Sequence, residues 1–335
     1  MIPPLSPTDL ALAATRIPAP KLRRPPLTPG RIVYLLVHYP RQVFGDGFDW
    51  HWHLWRGRRD LAAAIATLPA PPAPSGAPVA LHYLTGKRYV PLTTVALLSA
   101  QHHFGRPVQP MLYDDGSLDA DAVATFRYFF PLTRVFLKAE LAAALDRTLP
   151  AERFPFLRKI RLGYIHLRKL TDVAVSSPSW NVVSDSDVFF FRRPDALLAA
   201  VDARRACHMV DCMTSYGTPT PFLEELAGTP IHPRVNVGLC HFDAAAIDWD
   251  YVEHCAAAIL ARHGFSYYLE QALTAILLAR ARAEPLDAES YLVYPKPEQA
   301  RAPSQVALHY VDRSYFSLYR YGWRLVLNSL RESAL

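Results

Sequence analysis

Two aspartates, Asp185 and Asp187, lie one residue apart where an apolar run ends, in the segment SWNVVSDSDVFFFRRPDAL (179–197). In an extended segment, side chains two residues apart point to the same side, so the two carboxylates should converge. Two close carboxylates repel each other unless one takes up a proton or a cation binds between them. A hard divalent cation, Mg²⁺ or Mn²⁺, suits such ligands and would bring a diphosphate with it. The structural alternative is that one Asp caps the next element while the other faces water.

Other residues with chemical capacity lie in segments that predict strands, turns or helices. They are Asp114 and Asp115 in VQPMLYDDGS, Lys169 in LRKL, Asn236 in RVNVGLCHFD, Glu270 and Gln271 in YYLEQALTAILLA, and His309 in ALHYVDRSY. Each also has a structural interpretation: DDGS is an ordinary β-turn composition, a helical lysine can face solvent, and a single histidine is commonly packed in a core. The acid-amide pair on an otherwise apolar helix would need partners if buried, which favours a function.

The composition is that of a folded globular protein. The chain has 335 residues, 51% of them hydrophobic and 20% charged, which is enough for one large or two ordinary domains and excludes global disorder. The formal charge of +6 is spread along the chain, so nucleic acid is not an expected partner, whereas anionic small molecules or lipid headgroups are compatible with it.

Cysteine usage and hydropathy predict a cytoplasmic protein, with contact at the inner face of a membrane as the alternative. The four cysteines form no CxxC pair and are expected to be reduced: Cys207, Cys212, Cys240 and Cys255. No apolar run approaches the roughly 18 residues of a membrane span. The first residues lack the order of basic, apolar and small residues that marks a secretion signal.

The proline distribution separates an N-terminal extension, 1–78, from the rest of the chain. Prolines cluster in 3–30 and 68–78, where they exclude helix and central strand. Between these clusters RIVYLLVHYP (31–40) predicts a strand and HLWRGRRDLAAAIATL (53–68) a short amphipathic helix.

From residue 79 the pattern alternates between strand and helix. The predicted strands are 79–86, 108–117, 133–138 and 179–191, and the predicted helices are 90–105, 119–129, 155–174 and 267–279. Such alternation predicts an α/β fold with a mostly parallel sheet flanked by helices on both faces. Ligands of such sheets bind outside the carboxyl ends of the strands. We expect this domain over 79–325, followed by a C-terminal tail, 326–335.

In this order the motifs resemble the nucleotide-sugar-dependent glycosyltransferases with the GT-A (Rossmann-like) fold. The similarity is closest to the retaining, glycosyltransferase family 8-like group, which includes lipopolysaccharide galactosyl- and glucosyltransferases and glycogenin. The motifs that carry it are LTGKRY, DDGS, LRKL, VVSDSDVFF, RVNVGLCHFD, YYLEQALTAILLA and ALHYVDRSY. The resemblance implies a metal-dependent hexosyltransferase of polysaccharide biosynthesis. Its donor would be a UDP-sugar, its acceptor a glycan or a lipid-linked molecule, and its product would keep the donor's anomeric configuration.

The resemblance also implies roles for individual residues. Asp185, Asp187 and His309 would hold Mn²⁺ or Mg²⁺. The donor's nucleotide and phosphates would be bound by Thr85, Gly86, Tyr89, Asp114, Asp115, Lys169 and Ser186. Asn236 would bind the donor sugar or acceptor beside Gly238, which permits close backbone approach. Glu270 would bind sugar hydroxyls, with Gln271 near the anomeric carbon.

Two motifs depart from the family pattern. The first strand ends in TGKRY, so Tyr89 is present without the acidic residues that usually precede it. The C-terminal motif, usually with a Gly and a Lys-Pro-Trp, is replaced by HYVDRSYFSLYRYGW. Arg313 or Arg320 could supply the missing cation, because guanidinium binds phosphate well.

Other functions fit parts of the pattern. An inverting transferase or a non-catalytic carbohydrate- or nucleotide-binding protein would share the fold. A haloacid-dehalogenase-type phosphatase normally has Thr or Val where this chain has Phe189, and a pyrophosphorylase needs a Gly-rich loop after its first strand. His51 and His53 could bind zinc, but packing of the extension is the simpler interpretation. The basic, aromatic C-terminus predicts a docked helix or a membrane-surface segment.

Overall fold

The computed structural model describes residues 4–20, 47–72 and 74–332, and of Phe48 the backbone alone. The strand predicted at 31–40 lies outside the described residues. No helix in the described part of the chain has both the length and the apolar character needed to cross a bilayer.

The centre of the fold is a seven-stranded sheet. Its strands are β1 (Val79–Thr85), β2 (Val108–Asp114), β3 (Arg134–Phe136), β4 (Trp180–Ser184), β6 (Cys207–Val210), β7 (Val235–Asp243) and β8 (Glu284–Pro285). Their order across the sheet is β3-β2-β1-β4-β7-β6-β8. Strands β3, β2, β1 and β4 are parallel, and β7 is antiparallel to both β4 and β6. The carboxyl ends of β1, β2, β4 and β6 and the start of β7 therefore share one rim.

A smaller, three-stranded sheet adjoins this rim. It consists of β5 (Val188–Phe190), β9 (Tyr291–Val293) and β10 (Ala307–His309), with β10 in the middle. Strand β10 is antiparallel to β5, and the register pairs His309 with Val188. This pairing brings a residue from the far end of the chain beside Asp187.

Helices cover both faces of the central sheet. Those that precede β5 are α1 (Pro7–Thr15), α2 (Phe48–Thr67), α3 (Val90–Phe104), α4 (Ala120–Phe129), α5 (Lys138–Thr148), α6 (Pro155–Gly163) and α7 (Leu167–Ser176). Those that follow are α8 (Asp195–Asp202), α9 (Thr220–Ala227), α10 (Trp249–His263), α11 (Leu269–Arg280), α12 (Pro297–Arg301) and α13 (Trp323–Glu332). Neighbouring residues of β4, Val182 and Val183, belong to two different apolar clusters. Burial on both faces is typical of a sheet covered by helices on each side, and the predicted α/β class is confirmed.

The single helix predicted over 155–174 is two helices, α6 and α7, so that prediction was wrong. Helix α6 ends at Gly163, where the N-terminal segment crosses it: a Cβ on Gly163 would lie 2.1 Å from the carbonyl oxygen of Pro18. The chain then turns before α7 begins. Hydrophobic periodicity continued across this break, which is why the sequence pattern did not reveal it.

The strand predicted over 179–191 is also interrupted. Strand β4 ends at Ser184, and a turn at Asp185–Asp187 leads to β5 in the other sheet. The two carboxylates converge because of this turn, so the extended geometry we expected for them was wrong while their position at the strand end was right.

Both ends of the described chain pack on the α/β core. Arg16, which follows α1, donates hydrogen bonds from Nη1 to the carbonyl oxygens of Leu260 and Ala261 at 3.0 and 2.6 Å. Helix α13 buries Trp323 and Leu327, and it runs across the domain boundary predicted at 325. The C-terminus is thus a docked helix as far as residue 332, while the domain division itself stays a prediction.

Candidate active site

A cleft of about 1000 Å³ opens at the rim where the strand ends meet, a size within the usual range for ligand sites. Its lining includes six carboxylates, from Asp115, Asp185, Asp187, Asp211, Glu270 and Asp312. Lys169 is the single Lys or Arg among the described lining residues. The cleft is therefore acidic, and an anionic ligand would need an additional cation to bind there.

Asp185, Asp187 and His309 form the cluster in this cleft with metal-ligand chemistry. Their ligand atoms all lie within 4.8 Å of one another, and no other such cluster of three exists among residues 4–20, 47–72 and 74–332. The Nε2 atom of His309 lies 3.2 Å from Oδ1 of Asp187 and 3.9 Å from Oδ2 of Asp185. One ion could contact all three after small side-chain movements. His51 and His53 belong to no such cluster, and His53 instead pairs with Asp49 at 3.1 Å.

The site also has a buried acceptor that the protein leaves unsatisfied. Oδ1 of Asp187 is buried and accepts no hydrogen bond of good geometry within the described structure, although Nε2 of His309 is near. Its other oxygen, Oδ2, accepts a hydrogen bond from the hydroxyl of Tyr315. A buried carboxylate oxygen without a donor is costly, and a divalent cation would satisfy it. The residues present therefore fit a metal ion.

The orientation of His309 follows from its neighbour Asn236. Oδ1 of Asn236 accepts a hydrogen bond from the backbone N–H of Gly238 at 2.9 Å and lies 2.9 Å from Nδ1 of His309. Because that oxygen can only accept, Nδ1 of His309 must be the donor. A neutral His309 then presents the lone pair of Nε2 to the two carboxylates, as a metal ligand must.

Burial and charge act in opposite directions on the pKa values of this cluster. Burial raises the pKa of Asp187, but the adjacent His309 and the Tyr315 hydroxyl outweigh it and hold the pKa below its usual value. Burial lowers the pKa of His309, but Asp187 and Asp185 outweigh it and raise the pKa. The carboxylates and the imidazole thus each favour the charged form of the other.

Lys169 faces the same cluster from α7. Its Nζ donates to both oxygens of Asp185, at 2.8 and 3.0 Å. Burial lowers the pKa of Lys169, but Asp185 and Glu270 outweigh burial and raise it, so this lysine remains charged. The sequence was equally compatible with a solvent-exposed Lys169 and with one that contacts the donor. In the structure its side chain is buried beside the predicted metal ligands.

The acid-amide pair begins α11 at the floor of the cleft. Burial raises the pKa of Glu270 to about 7, even though Lys169 lowers it. The Oε1 atom of Glu270 accepts a hydrogen bond from Thr274 at 3.3 Å. Gln271 donates from Nε2 to Oδ2 of Asp211 at 3.1 Å and to the carbonyl of Val235 at 2.8 Å.

The two aspartates after β2 have different surroundings. Oδ1 of Asp114 accepts hydrogen bonds from the backbone N–H groups of Gly116, Ser117 and Leu118 at 2.7, 2.8 and 2.9 Å, so this residue organises the turn. Asp115 lines the cleft. Asp115 also supports the turn, because its Oδ1 accepts the backbone N–H of Ser117 at 2.9 Å, so both interpretations apply to Asp115 and only the structural one to Asp114.

The remaining predicted residues are distributed over the cleft and outside it. Thr85, Gly86, Tyr89 and Ser186 line the cleft, whereas Arg313 and Arg320 are not among its lining residues. The position of the His309 ring requires a glycine at residue 238, because a Cβ there would lie 2.1 Å from the Cε1 atom of the ring.

Two residues of the site were missed by sequence reasoning. Asp211 follows β6, which is parallel to β4 through β7, so a polar residue at that strand end was a usable signal. Tyr315 lies in a short helical turn after β10, and nothing in the sequence pattern marked it.

Comparisons with known proteins find similarity among solved structures. No family model and no curated protein matches the sequence. Among solved structures, the chain is similar to mouse xyloside xylosyltransferase 1 in its apo form, with 11% identity, 70% of this chain and 98% of that chain covered, and a TM-score of 0.46. The galactosyltransferase LgtC in complex with donor and acceptor sugar analogues gives 12% identity, coverage of 70% and 87%, and a TM-score of 0.47.

A third similar structure is core-mannan synthase A from Aspergillus fumigatus in its Mn/GDP form. It gives 11% identity, coverage of 64% of this chain and 75% of that chain, and a TM-score of 0.42.

Proposed function

We propose that this protein is a metal-dependent glycosyltransferase that moves a sugar from a nucleotide-sugar donor, a UDP-sugar, to a glycan or lipid-linked acceptor. The observation that carries the proposal is the convergence of Asp185, Asp187 and His309 at the strand-end rim, on the floor of a cleft large enough for a nucleotide sugar. Two carboxylates with one imidazole suit Mn²⁺, which accepts both ligand types, better than Mg²⁺, which prefers oxygen.

The charge of the cleft supports the need for a metal. The carboxylates of the lining outnumber its cationic groups, Lys169 and His309, even with Glu270 near neutrality, so a further cation would favour diphosphate binding. When bound, the ion would neutralise the diphosphate and stabilise it as a leaving group. Within the protein, Asn236 would hold His309 in the ligating tautomer, and Tyr315 would hold Oδ2 of Asp187 so that Oδ1 remains available.

The residues around the metal site would bind the donor's other parts. Lys169, released from Asp185 when the ion binds, would reach a phosphate or sugar oxygen. Asp115 with the Thr85–Gly86 turn would contact the ribose or base. At the floor, Glu270 would accept hydrogen bonds from sugar hydroxyls and Gln271 would lie beneath the ring.

The rim of the cleft suits the ring faces of a sugar or a base. Exposed aromatic side chains line it: Tyr89, Tyr267, Tyr268 and Tyr294, with exposed fractions of 42, 62, 40 and 38%. Aromatic rings at a cleft edge offer an apolar face beside polar hydroxyls. The acceptor would enter over this rim.

The near-neutral pKa of Glu270 favours a second candidate reaction. A carboxylate with a pKa of about 7 can act as a general base, as an inverting glycosyltransferase requires. We propose that the product keeps the donor's anomeric configuration, because the amide of Gln271, rather than a second acid, follows Glu270 on the helix.

The proposal is tested by thermal denaturation with nucleoside diphosphates and nucleotide sugars, each with and without Mn²⁺. A ligand of the folded state at a hundredfold excess over its Kd stabilises by about 2.7 kcal/mol, which is a shift of several degrees in Tm. We expect UDP or a UDP-sugar to raise Tm with Mn²⁺ present, and Asp187→Asn to abolish the shift. Asp202→Asn, an exposed carboxylate on α8, is the matched control. Equal binding of UDP to Asp187→Asn and without metal would contradict the proposal.

A further inference from the structure

The carboxylate of Asp211 lies between two side-chain amides at the floor of the cleft. Its Oδ2 atom accepts hydrogen bonds from Nδ2 of Asn236 and from Nε2 of Gln271, both at 3.1 Å. Its Oδ1 atom accepts the backbone N–H of Cys212 at 2.8 Å. Asp211 is 7% exposed, so these interactions are formed in a largely dry environment. A carboxylate is the side chain that can accept all three without offering a donor in return.

The side-chain amide of Asn236 connects Asp211 to the candidate metal site. Because Nδ2 of Asn236 points to Asp211, its Oδ1 points to the N–H of Gly238 and to Nδ1 of His309. Reversing this amide would place an oxygen against the carboxylate and an NH₂ group against the N–H of Gly238. Both contacts are repulsive, so Asp211 and the N–H of Gly238 together favour the His309 tautomer that presents Nε2 to Asp185 and Asp187.

The side-chain amide of Gln271 connects Asp211 to the part of the cleft floor formed by α11. Gln271 uses Nε2 to donate both to Asp211 and to the carbonyl of Val235 at 2.8 Å. An amide nitrogen carries two hydrogens, and both are engaged by these acceptors. The carbonyl oxygen of Gln271 is therefore the atom that this side chain offers to the cleft.

We propose that Asp211 is a positioning residue that orients Asn236 and Gln271 together, and so couples the metal ligand His309 to the amide oxygen at the cleft floor. The inference rests on the proposed function for the meaning of the metal site and of Gln271. The orientation of the two amides, however, is a property of the protein alone and is tested without substrate.

The test is Asp211→Asn, which preserves volume and removes the double acceptor. Turning its oxygen to the two amides sets its NH₂ against the N–H of Cys212, and turning its NH₂ to them opposes two other NH₂ groups. In metal-free protein brought to a pH high enough to make His309 neutral, ¹⁵N NMR of the imidazole should show the remaining proton on Nδ1 in wild type and a loss of this tautomer in the variant. The Kd for Mn²⁺ should rise about tenfold or more, as for other residues that orient metal ligands.

Comparison variants separate positioning from general destabilisation. Gln271→Met removes one donor to Asp211 but leaves Asn236 in place, so it should keep the His309 tautomer and Mn²⁺ affinity while lowering kcat. Asp202→Asn controls for the substitution itself. If Asp211→Asn does not fold, Asp211→Glu takes its place, because its longer side chain cannot satisfy both amides at once.

The outcomes distinguish the inference from the proposed function. Wild-type tautomer and wild-type Mn²⁺ affinity in a folded Asp211 variant would overturn the positioning role. Failure of the wild-type protein to bind Mn²⁺ would overturn the proposed metal-dependent function, while the tautomer measurement would still decide whether Asp211 orients Asn236.

Discussion

Lys169 and Asp185 form a two-point ion pair inside the cleft, with Nζ at 2.8 and 3.0 Å from the two carboxylate oxygens. The lysine thus occupies one of the three groups that would ligate a metal. An ion arriving at Asp185 must displace Nζ, and the displaced ammonium remains within reach of whatever the ion binds. The pair therefore links metal binding to the release of a cation for the donor's phosphate or sugar.

Replacing Lys169 with Met should separate these two effects. Two cations about 4 Å apart near a protein surface repel by several kcal/mol, so removing one should tighten Mn²⁺ binding by about tenfold or more. The same variant should bind nucleoside diphosphate less tightly in the presence of saturating Mn²⁺. Titration calorimetry with each ligand measures both effects, with Lys159→Met, on α6, as control. Weaker Mn²⁺ binding in Lys169→Met would show that the lysine supports the metal site instead of competing for it.

The hydroxyl of Tyr315 holds the opposite side of the same cluster through Oδ2 of Asp187. Tyr315→Phe removes this donor and leaves a buried carboxylate oxygen to rotate or to find water. We expect a Kd for Mn²⁺ about tenfold higher and a loss of about 1–2 kcal/mol in the free energy of unfolding without metal.

Tyr321→Phe is the matched control for Tyr315→Phe, because its hydroxyl pairs with Arg301 away from the cleft at 3.4 Å. Paramagnetic resonance of free Mn²⁺ gives both affinities. Equal Mn²⁺ affinity in the two variants would remove Tyr315 from the site.

The buried carboxyl of Glu270 should make stability depend on pH near neutrality. Burial raises its pKa from 4.5 to about 7, so between these values the folded state binds more protons than the unfolded state. Stability from this group is therefore present below pH 4.5 and is lost as pH rises through 7. Glu270→Gln removes the titration, so its stability relative to wild type should increase from pH 5 to pH 8, by on the order of 1–3 kcal/mol.

Denaturant unfolding of metal-free protein at the two pH values measures this difference for Glu270→Gln. Glu253→Gln, a partly buried acid with a raised pKa but outside the cleft, shows how much of the effect is general. A pH-independent difference between Glu270→Gln and wild type would mean that Glu270 keeps an ordinary pKa.

The sequence revealed the parts of this site that lie at strand ends. The alternating pattern located β1, β2 and the beginning of β4, and with them the strand end that carries Asp185 and Asp187. Local patterns carry such information because a strand end is followed by its own polar residues. They could not show the turn that brings Asp187 to Asp185, nor the pairing of β10 with β5 that delivers His309, whose proximity had been implied by the resemblance alone.

What the sequence missed depends on contacts between distant segments. The proposed role of Asp211 depends on amides on β7 and α11, and residue 163 is a glycine at the point where Pro18 crosses the end of α6. Neither interaction changes the local hydrophobic period. The difference between Asp114, which organises a turn, and Asp115, which faces the cleft, is likewise invisible in the letters DDGS.

The stereochemical outcome can be decided at the floor of the cleft, where Glu270 and Gln271 are adjacent on α11. An inverting reaction needs a carboxylate behind the anomeric carbon to take the acceptor's proton. A retaining reaction on the donor's front face lets the leaving phosphate take that proton, and an amide oxygen beneath the ring suffices to stabilise positive charge. Gln271 presents such an oxygen because both of its hydrogens are engaged by Asp211 and Val235.

We therefore expect a product with the donor's anomeric configuration, determined by NMR once a donor is known. Gln271→Ala should lower kcat by about a hundredfold, comparable to loss of one electrostatic stabiliser, with little change in donor KM. Glu270→Gln, which can still bind hydroxyls, should act mainly on KM. An inverted product, with activity lost in Glu270→Gln and kept in Gln271→Ala, would make Glu270 the general base, a role that its pKa of about 7 would permit.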